Sequence, residues 1–255
     1  MHLDQAVILA GGRGERLRPF TDRAPKPLVP VNGVPFLDYL IESLKQAGIR
    51  RILLLLGYRA EAMIERYGDL SHPALSLQFS IGTAEDQTGR RLLNAYGLLD
   101  RHFLLLYGDN YWPIEFDRMV TSYVEKGAPV SATVFRNADG TGEYGWDNNV
   151  EVDGEGRVVQ YDKTRRSARL NGVDIGYFIV DKTALTSNAD GNVSFEEDLL
   201  PEFIRHRALS AHVTDAPYYY VTAMKDVARL ECVVAERRFQ PIRWPGMAYS
   251  LRTGD

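Results

Sequence analysis

Unbroken apolar runs and helically spaced apolar positions alternate along the first 135 residues. Ala6–Ala10, Ile52–Leu56, Leu75–Phe79, Phe103–Tyr107 and Val130–Phe135 are short, mostly apolar runs. Continuous rather than alternating hydrophobicity predicts strands covered on both faces. Between them lie helical patterns. Val34–Ala47 carries Phe36, Leu37, Leu40, Ile41 and Leu44 on one face and stops at Gly48. Glu61–Tyr67, Thr88–Leu99 and Glu115–Lys126 follow, the last stopped by Gly127. Strands that alternate with helices predict an α/β fold with a doubly wound, mostly parallel sheet.

The pattern changes after residue 135. Val150–Val152, Val158–Asp162 and Ile175–Val180 read as short strands separated by Asp-Gly and Asn-Gly turns. Ser194 reads as the cap of a helix over Phe195–Arg207, with Glu197 placed to complete a capping box. Tyr218–Val221 reads as a last strand and Asp226–Arg238 as a final helix. Residues 241–255 hold Pro241, Pro245 and Gly246 and read as a tail. The organisation is one domain over 1–240, with a larger lobe over residues 1–135 and a smaller, β-rich lobe over residues 136–240.

Charge adds a local feature. The chain has 255 residues and a formal net charge of −4, which argues against a nucleic-acid partner. Yet Ile8–Val31, ILAGGRGERLRPFTDRAPKPLVPV, gathers Arg13, Arg16, Arg18, Arg23 and Lys26 against only Glu15 and Asp22. Concentrated cations on an acidic chain point to a small anionic ligand. No apolar run approaches the roughly 20 residues of a membrane span. The N-terminus lacks the pattern of a secretion signal, and the single cysteine, Cys232, fits a reducing cytoplasm and reads as a buried thiol. A homo-oligomer is left open.

The glycines in this stretch follow the first strand, where phosphate loops sit. A dinucleotide fingerprint needs G-x-G-x-x-G, but Leu17 stands where its third glycine belongs. A P-loop needs a lysine directly after its last glycine, and none is there. What remains is GGxGxRL followed by Pro25-Lys26-Pro27. Glycines let backbone N–H groups approach phosphate oxygens. Arg16 and Lys26 add charge, and the prolines restrict where the lysine points. At the end of the fourth apolar run, Gly108-Asp109-Asn110 puts a carboxylate at the sheet edge from which the glycine loop leaves. A carboxylate there can hold Mg²⁺ together with phosphates.

With LAGGRGERLRP…PKPLVPVNGVPFLDYLI in view, the chain resembles the sugar-1-phosphate nucleotidyltransferases, or nucleotide-sugar pyrophosphorylases, over residues 5 to about 238. NGVPFLDYLIESLKQAGI and LLLYGDNYWP are similar to the branch of D-glycero-D-manno-heptose 1-phosphate guanylyltransferases. The resemblance implies a Rossmann-like, GT-A-like nucleotidyltransferase fold, with nucleotide binding over residues 1–135 and sugar-phosphate binding over residues 136–240. It implies that Leu9, Ala10, Gly11 and Gly12 meet base and ribose, and that Gly14, Arg16 and Lys26 meet the triphosphate. Gly108 lies beside the nucleotide and Asp109 holds Mg²⁺. Gln87, Thr88 and Gly89 lie over the base, in a Q-T-G-R sequence where the family often has G-T-G-G. On the sugar side it implies Gly145, Asp162 and Lys163 as ligands. It adds Asp174, at a position where the family often has asparagine.

The family usually has a second metal-binding aspartate before the last helix. Here that position falls on Tyr220, Val221 or Thr222, none of them acidic. The implied reaction joins an NTP and a sugar 1-phosphate into an NDP-sugar and pyrophosphate, with GTP and a heptose or hexose 1-phosphate as first choice. Two alternatives stay open. One is a cytidylyl-, uridylyl- or thymidylyltransferase on a hexose 1-phosphate or phospho-alcohol. The other is a binding module without turnover.

Overall fold

A computed structural model describes residues 3–186 and 191–245. In chain order, its strands and helices are β1 (Gln5–Leu9), β2 (Pro30–Val31), β3 (Val34–Pro35), α1 (Phe36–Gln46), β4 (Arg51–Leu56), α2 (Ala60–Tyr67), β5 (Ser76–Ile81), α3 (Thr88–Asn94), β6 (His102–Tyr107), β7 (Asn110–Tyr111), α4 (Phe116–Lys126) and β8 (Val130–Phe135). There follow β9 (Val150–Val152), β10 (Val158–Tyr161), β11 (Val173–Asp181), a π-helical turn Phe195–Leu199 that runs into α5 (Leu200–Arg205), β12 (Leu209–Thr214), β13 (Tyr219–Tyr220) and α6 (Met224–Arg237).

Seven strands form the central sheet in the order β12-β8-β11-β6-β1-β4-β5. β1 runs parallel to β4 and β6, β4 to β5, and β8 to β12. Only β11 is antiparallel, to β6 and β8. The expected mostly parallel α/β sheet is present. Two strands differ from expectation. Ile175–Val180, read as part of the second lobe, belongs to the longer β11 at the centre of the sheet. Leu209–Thr214 was not expected as a strand. Its LSAHVT sequence mixes polar and apolar residues, and pairing with β8 rather than side-chain pattern makes it one.

The buried strands feed two cores. Ile8, Leu54, Leu104 and Leu106 face α1, α2, α4 and α6. Their neighbours Val7, Leu53, Leu55, Phe103 and Leu105 face α3 and the 195–205 helical segment. Successive residues of a strand point to opposite faces, so a continuous apolar run is what a covered sheet requires. Removing one such leucine side chain costs about 2–5 kcal/mol.

Cys232 is exposed on α6, contrary to the buried thiol expected. The buried face of that helix is carried instead by Val227, Leu230 and Val234. Within the segment read as a tail, Ile242 and Trp244 are buried. Trp244 donates to Asp38 Oδ1 at 3.2 Å, and the Ile242 amide donates to the Asp38 carbonyl at 2.9 Å. Residues 246–255 of the expected tail lie outside the described residues. Among the described residues no helix is long and apolar enough to cross a membrane.

Candidate active site

β1 and β6 are adjacent and parallel, so the segments that leave their C-terminal ends emerge side by side. The Ala10 amide still bonds to the Leu55 carbonyl at 3.0 Å, and the Gly108 amide to the Leu9 carbonyl at 3.0 Å. Gly108 must be small: a Cβ there would stand 2.8 Å from the Leu9 carbonyl oxygen. A cleft of about 580 Å³ opens above these strand ends. It is lined by the glycine loop, by 84–91, by 107–109 and by 194–197.

Within the loop, Gly14 adopts φ +62°, a left-handed conformation that favours glycine, and starts a 3-10 turn over Glu15–Leu17. Leu17, the residue in place of a third glycine, is fully buried and anchors that turn. Pro25 caps a further 3-10 turn over Lys26–Leu28, and Pro27 lies within it. Lys26 packs beneath Gly14 and places Nζ 2.6 Å from Asp109 Oδ2. The loop cations divide by role. Arg13 pairs with Glu85 and Arg18 with Asp22. Arg16 lines the cleft and, among the described residues, has no carboxylate partner.

Of the residues expected at the nucleotide, Leu9, Ala10, Gly11, Gly12, Gly14, Arg16, Lys26, Gln87, Thr88, Gly108 and Asp109 line this one cleft. Gly89 does not. It lies under Val193, with that residue's carbonyl 2.9 Å from where a Cβ would stand. The start of α3 is also less open than its sequence suggests. The Gln87 amide donates to Asn192, the Thr88 hydroxyl donates to Glu196 at 3.0 Å, and the Phe195 amide donates to that hydroxyl at 2.8 Å.

The expected sugar-side residues are less concentrated. Lys163 reaches the cleft and pairs with Glu197 at 2.7 Å. Asp162 uses both carboxylate oxygens on the 164–167 turn. Those hydrogen bonds, the Thr164 hydroxyl foremost, hold its carboxyl down to about 2. Gly145 adopts φ +59°, with open space where a Cβ would be. Beside it, Tyr144 stacks on Tyr220 with ring centroids 5.1 Å apart and carries the Arg165 guanidinium 3.7 Å above its ring. Asp174 sits at an irregularity in β11, bonded to the Gly176 amide. Burial, reinforced by Glu196, pushes its carboxyl up to about 7. Near neutral pH a large share of Asp174 is therefore protonated and offers a donor, as the asparagine often found there in the family would.

Sequence reasoning missed Tyr107, Asp86, Arg91 and Glu196 on the cleft wall and named Ser194 only as a helix cap. Ser194 caps the following helix as expected, accepting from the Glu197 amide at 3.2 Å. The return bond comes from Asp198 instead of Glu197, with the Ser194 amide 2.6 Å from Asp198 Oδ2. Glu197 is left to meet Lys163. Of Tyr220, Val221 and Thr222, it is Thr222 that lines the cleft. The Val221 amide donates to the Asp109 carbonyl at 2.8 Å and so holds the strand next to Asp109. Asp226 accepts from the Thr222 and Ala223 amides and caps α6.

Among the described residues no cluster of three or more His, Cys, Asp or Glu is arranged for a metal ion. Mg²⁺ does not require one. It commonly binds through one or two carboxylates, water and substrate phosphates, and Asp109 beside a phosphate-sized cationic loop meets that description.

The chain is similar to proteins of named activity and to a solved structure. Over 207 residues the chain is 29% identical to a mannose-1-phosphate guanylyltransferase of Mycobacterium tuberculosis, covering 80% of this chain and 56% of that protein. It is 26% identical to a D-glycero-alpha-D-manno-heptose 1-phosphate guanylyltransferase of Campylobacter jejuni, covering 80% of this chain and 88% of the relative. The chain thus spans little more than half the length of the first of these. The crystal structure of HddC from Yersinia pseudotuberculosis complexed with GMP-PN superposes with a TM-score of 0.74 at 26% identity, over 88% of this chain and 96% of that one. Residues 5–218 match the nucleotidyl transferase family, and the chain belongs to it.

Proposed function

We propose that the protein joins a nucleoside triphosphate to a sugar 1-phosphate, giving a nucleotide sugar and pyrophosphate, with GTP as donor and a heptose or hexose 1-phosphate as acceptor. The observation that carries this is the meeting of the glycine loop, Arg16, Lys26 and Asp109 in one cleft at the ends of β1 and β6. The names of the Campylobacter relative and the Yersinia structure support the choice of acceptor and base.

Leu9, Ala10, Gly11 and Gly12 meet base and ribose, and the backbone at Gly14 holds the polyphosphate. A phosphate oxygen of the acceptor attacks the α-phosphorus, its bond to the bridging oxygen breaks, and pyrophosphate leaves with that electron pair. No covalent enzyme intermediate is needed, so positioning and charge neutralisation carry the catalysis. Arg16 and Lys26 offset the charge that gathers on the departing pyrophosphate. Lys163 holds the acceptor phosphate after exchanging its bond to Glu197 for one to substrate. Asp109 would hold Mg²⁺, which would supply further charge neutralisation when bound. Asp174 and Gly145 flank the sugar.

The test is pyrophosphate release from each of four NTPs with mannose, glucose and heptose 1-phosphates, with and without Mg²⁺. Release with GTP and one acceptor is the expected result. Nucleotide binding without pyrophosphate from any pair would favour a binding module, the reading that Thr222 in place of a second carboxylate supports.

A further inference from the structure

Two successive arginines on α3 behave differently. Arg90 reaches outward to the Gly191 carbonyl. Arg91 turns inward and is only 5% exposed. Its Nη1 donates to the Leu56 carbonyl at 2.8 Å and its Nη2 to the Gly11 carbonyl at 3.1 Å. The guanidinium lies in a slot made by glycines of separate segments. A Cβ on Gly11 would stand 2.3 Å from Nη1, and one on Gly57 would stand 2.1 Å from the same atom. At Gly82 a Cβ would meet Asp86 Oδ2 at 2.4 Å and Arg91 Nη1 at 3.6 Å. Two positions without side chains, Gly11 and Gly57, thus clear the space that this one cation fills, and Gly82 leaves room for Asp86 beside it.

Burying a guanidinium is unfavourable unless its charge and donors are met. Among the described residues no carboxylate lies within ion-pair distance of Arg91. Asp86 and Glu85 act on it only at longer range, and burial lowers its proton affinity. A guanidinium has five N–H donors, and two carbonyls engage only part of that set. Arg91 also lines the cleft, together with Ala84, Asp86 and Gln87. It is set apart from the triphosphate cations: Lys26 lies under Gly14 and on Asp109. A desolvated planar fork suits a ligand with two adjacent acceptors in one plane.

We propose that Arg91 is the specificity-determining residue for the nucleobase and selects guanine, whose O6 and N7 present adjacent acceptors to the guanidinium. This rests on the nucleotidyl-transfer reading and deepens it. Asp86 stays ionised, held below the usual carboxylate range by hydrogen bonds from Thr83. It lines the same part of the cleft, where it can accept from the N1–H and exocyclic amine of guanine. Adenine presents an amine in place of O6, so donor would face donor, and uracil separates its two carbonyls by an N–H.

Calorimetric binding to the full chain, with Mg²⁺ and no acceptor, tests this. The probes are GTP, ATP, CTP and inorganic tripolyphosphate, and the proteins are wild type, Arg91→Lys and Arg91→Gln. The wild type is expected to prefer GTP over ATP by about tenfold to a hundredfold. Lysine keeps the charge but lacks the fork, so both variants are expected to bring that preference within about threefold. Tripolyphosphate is expected to bind all three proteins alike. An unchanged GTP-to-ATP ratio in the variants overturns the proposal, as does wild-type preference for ATP or CTP. Loss of tripolyphosphate along with every nucleotide in the variants would make Arg91 a strut of the glycine loop and also overturns it. A wild type that binds neither tripolyphosphate nor any nucleotide defeats the nucleotidyl-transfer reading itself, a result distinct from loss of base preference alone.

Discussion

Lys26 Nζ stands 2.6 Å from Asp109 Oδ2, across 83 residues of sequence. Neither side chain is deeply buried, at 14% and 35% exposure, so solvent screens the pair and it adds little to stability. The pair instead keeps a cation and a carboxylate side by side in the cleft, where the proposed reaction calls for both. On the proposed reaction, Lys26 would turn to phosphate and Asp109 would be left to hold Mg²⁺.

Lys26→Ala and Asp109→Asn are each expected to lower kcat by about 10²–10³, the usual loss when one charge-stabilising group is removed. Because the two act as a unit, the double variant is expected to lose much less than the product of the single losses. Steady-state pyrophosphate release measures this, and unchanged melting temperatures would confirm that the folds are intact. Near-normal turnover in both single variants would remove this pair from catalysis.

The glycines of the site separate into those needed for packing and those that leave space for ligand. Gly108→Ala would force a Cβ to 2.8 Å from a backbone oxygen of β1, whereas Gly12 has nothing within 4 Å. Gly108→Ala is expected to lose about 1–3 kcal/mol through overpacking. Gly12→Ala is expected to keep the wild-type melting temperature and to weaken nucleotide binding. Thermal melts with and without GTP distinguish the two, and equal destabilisation by both substitutions would contradict this division.

Much of this arrangement was legible in residue order. Continuous apolar runs marked β1, β4 and β6 because a doubly covered sheet leaves no face for polar residues. The loop was legible because its glycines, arginine and proline-flanked lysine are close in sequence. What sequence did not reveal depends on distant partners. β12 owes its place to β8, and the central position of β11 follows from pairing that its short apolar run does not encode. Arg91 carries no signal in the sequence that sets it apart from Arg90. Only the approach of Gly11 and Gly57 turns it into a buried cation. Asp162 looked like a sugar ligand, yet its oxygens serve the turn that follows it. Cys232 looked buried because free cysteines usually are, but α6 turns that position outward.

Lys163 and Glu197 form an exposed pair at 2.7 Å, with Lys163 just after β10 and Glu197 in the π-helical turn. The hydrogen bond to Glu197 raises the proton affinity of Lys163, so it stays charged, as the proposed contact with the acceptor phosphate requires. Lys163→Ala is expected to raise the KM for the sugar 1-phosphate about tenfold or more while changing the KM for NTP by less than about threefold, one lost charge-assisted hydrogen bond being worth about 1.5–3 kcal/mol. Glu197→Gln is expected to lower the acceptor KM, since the lysine no longer has to leave a carboxylate. Initial-rate kinetics with each substrate varied in turn would decide. Equal increases in both KM values for Lys163→Ala would move this lysine away from the acceptor.

Asp174 provides a pH-dependent test. Burial raises its carboxyl to about 7, with Glu196 adding to the rise and the Gly176 amide and Arg165 opposing it. In the unfolded chain the same group titrates near 4. Between about pH 4 and 7 the folded protein therefore holds a proton that the unfolded chain has released. The stability associated with this group is full at the acidic end, falls as pH rises through that window and levels off above 7. Asp174→Asn keeps an oxygen for the Gly176 amide and removes the titration. The melting temperature of the variant relative to wild type is expected to rise between pH 5 and pH 8 by at least about 2–4 °C, the equivalent of about 1 kcal/mol in a chain of this size. Acceptor binding by the wild type is expected to weaken over the same interval, as Asp174 loses the proton with which it donates to a sugar hydroxyl, while binding by the asparagine variant stays level. A melting difference that is flat in pH would show that Asp174 is ionised in the folded protein and acts as an acceptor only.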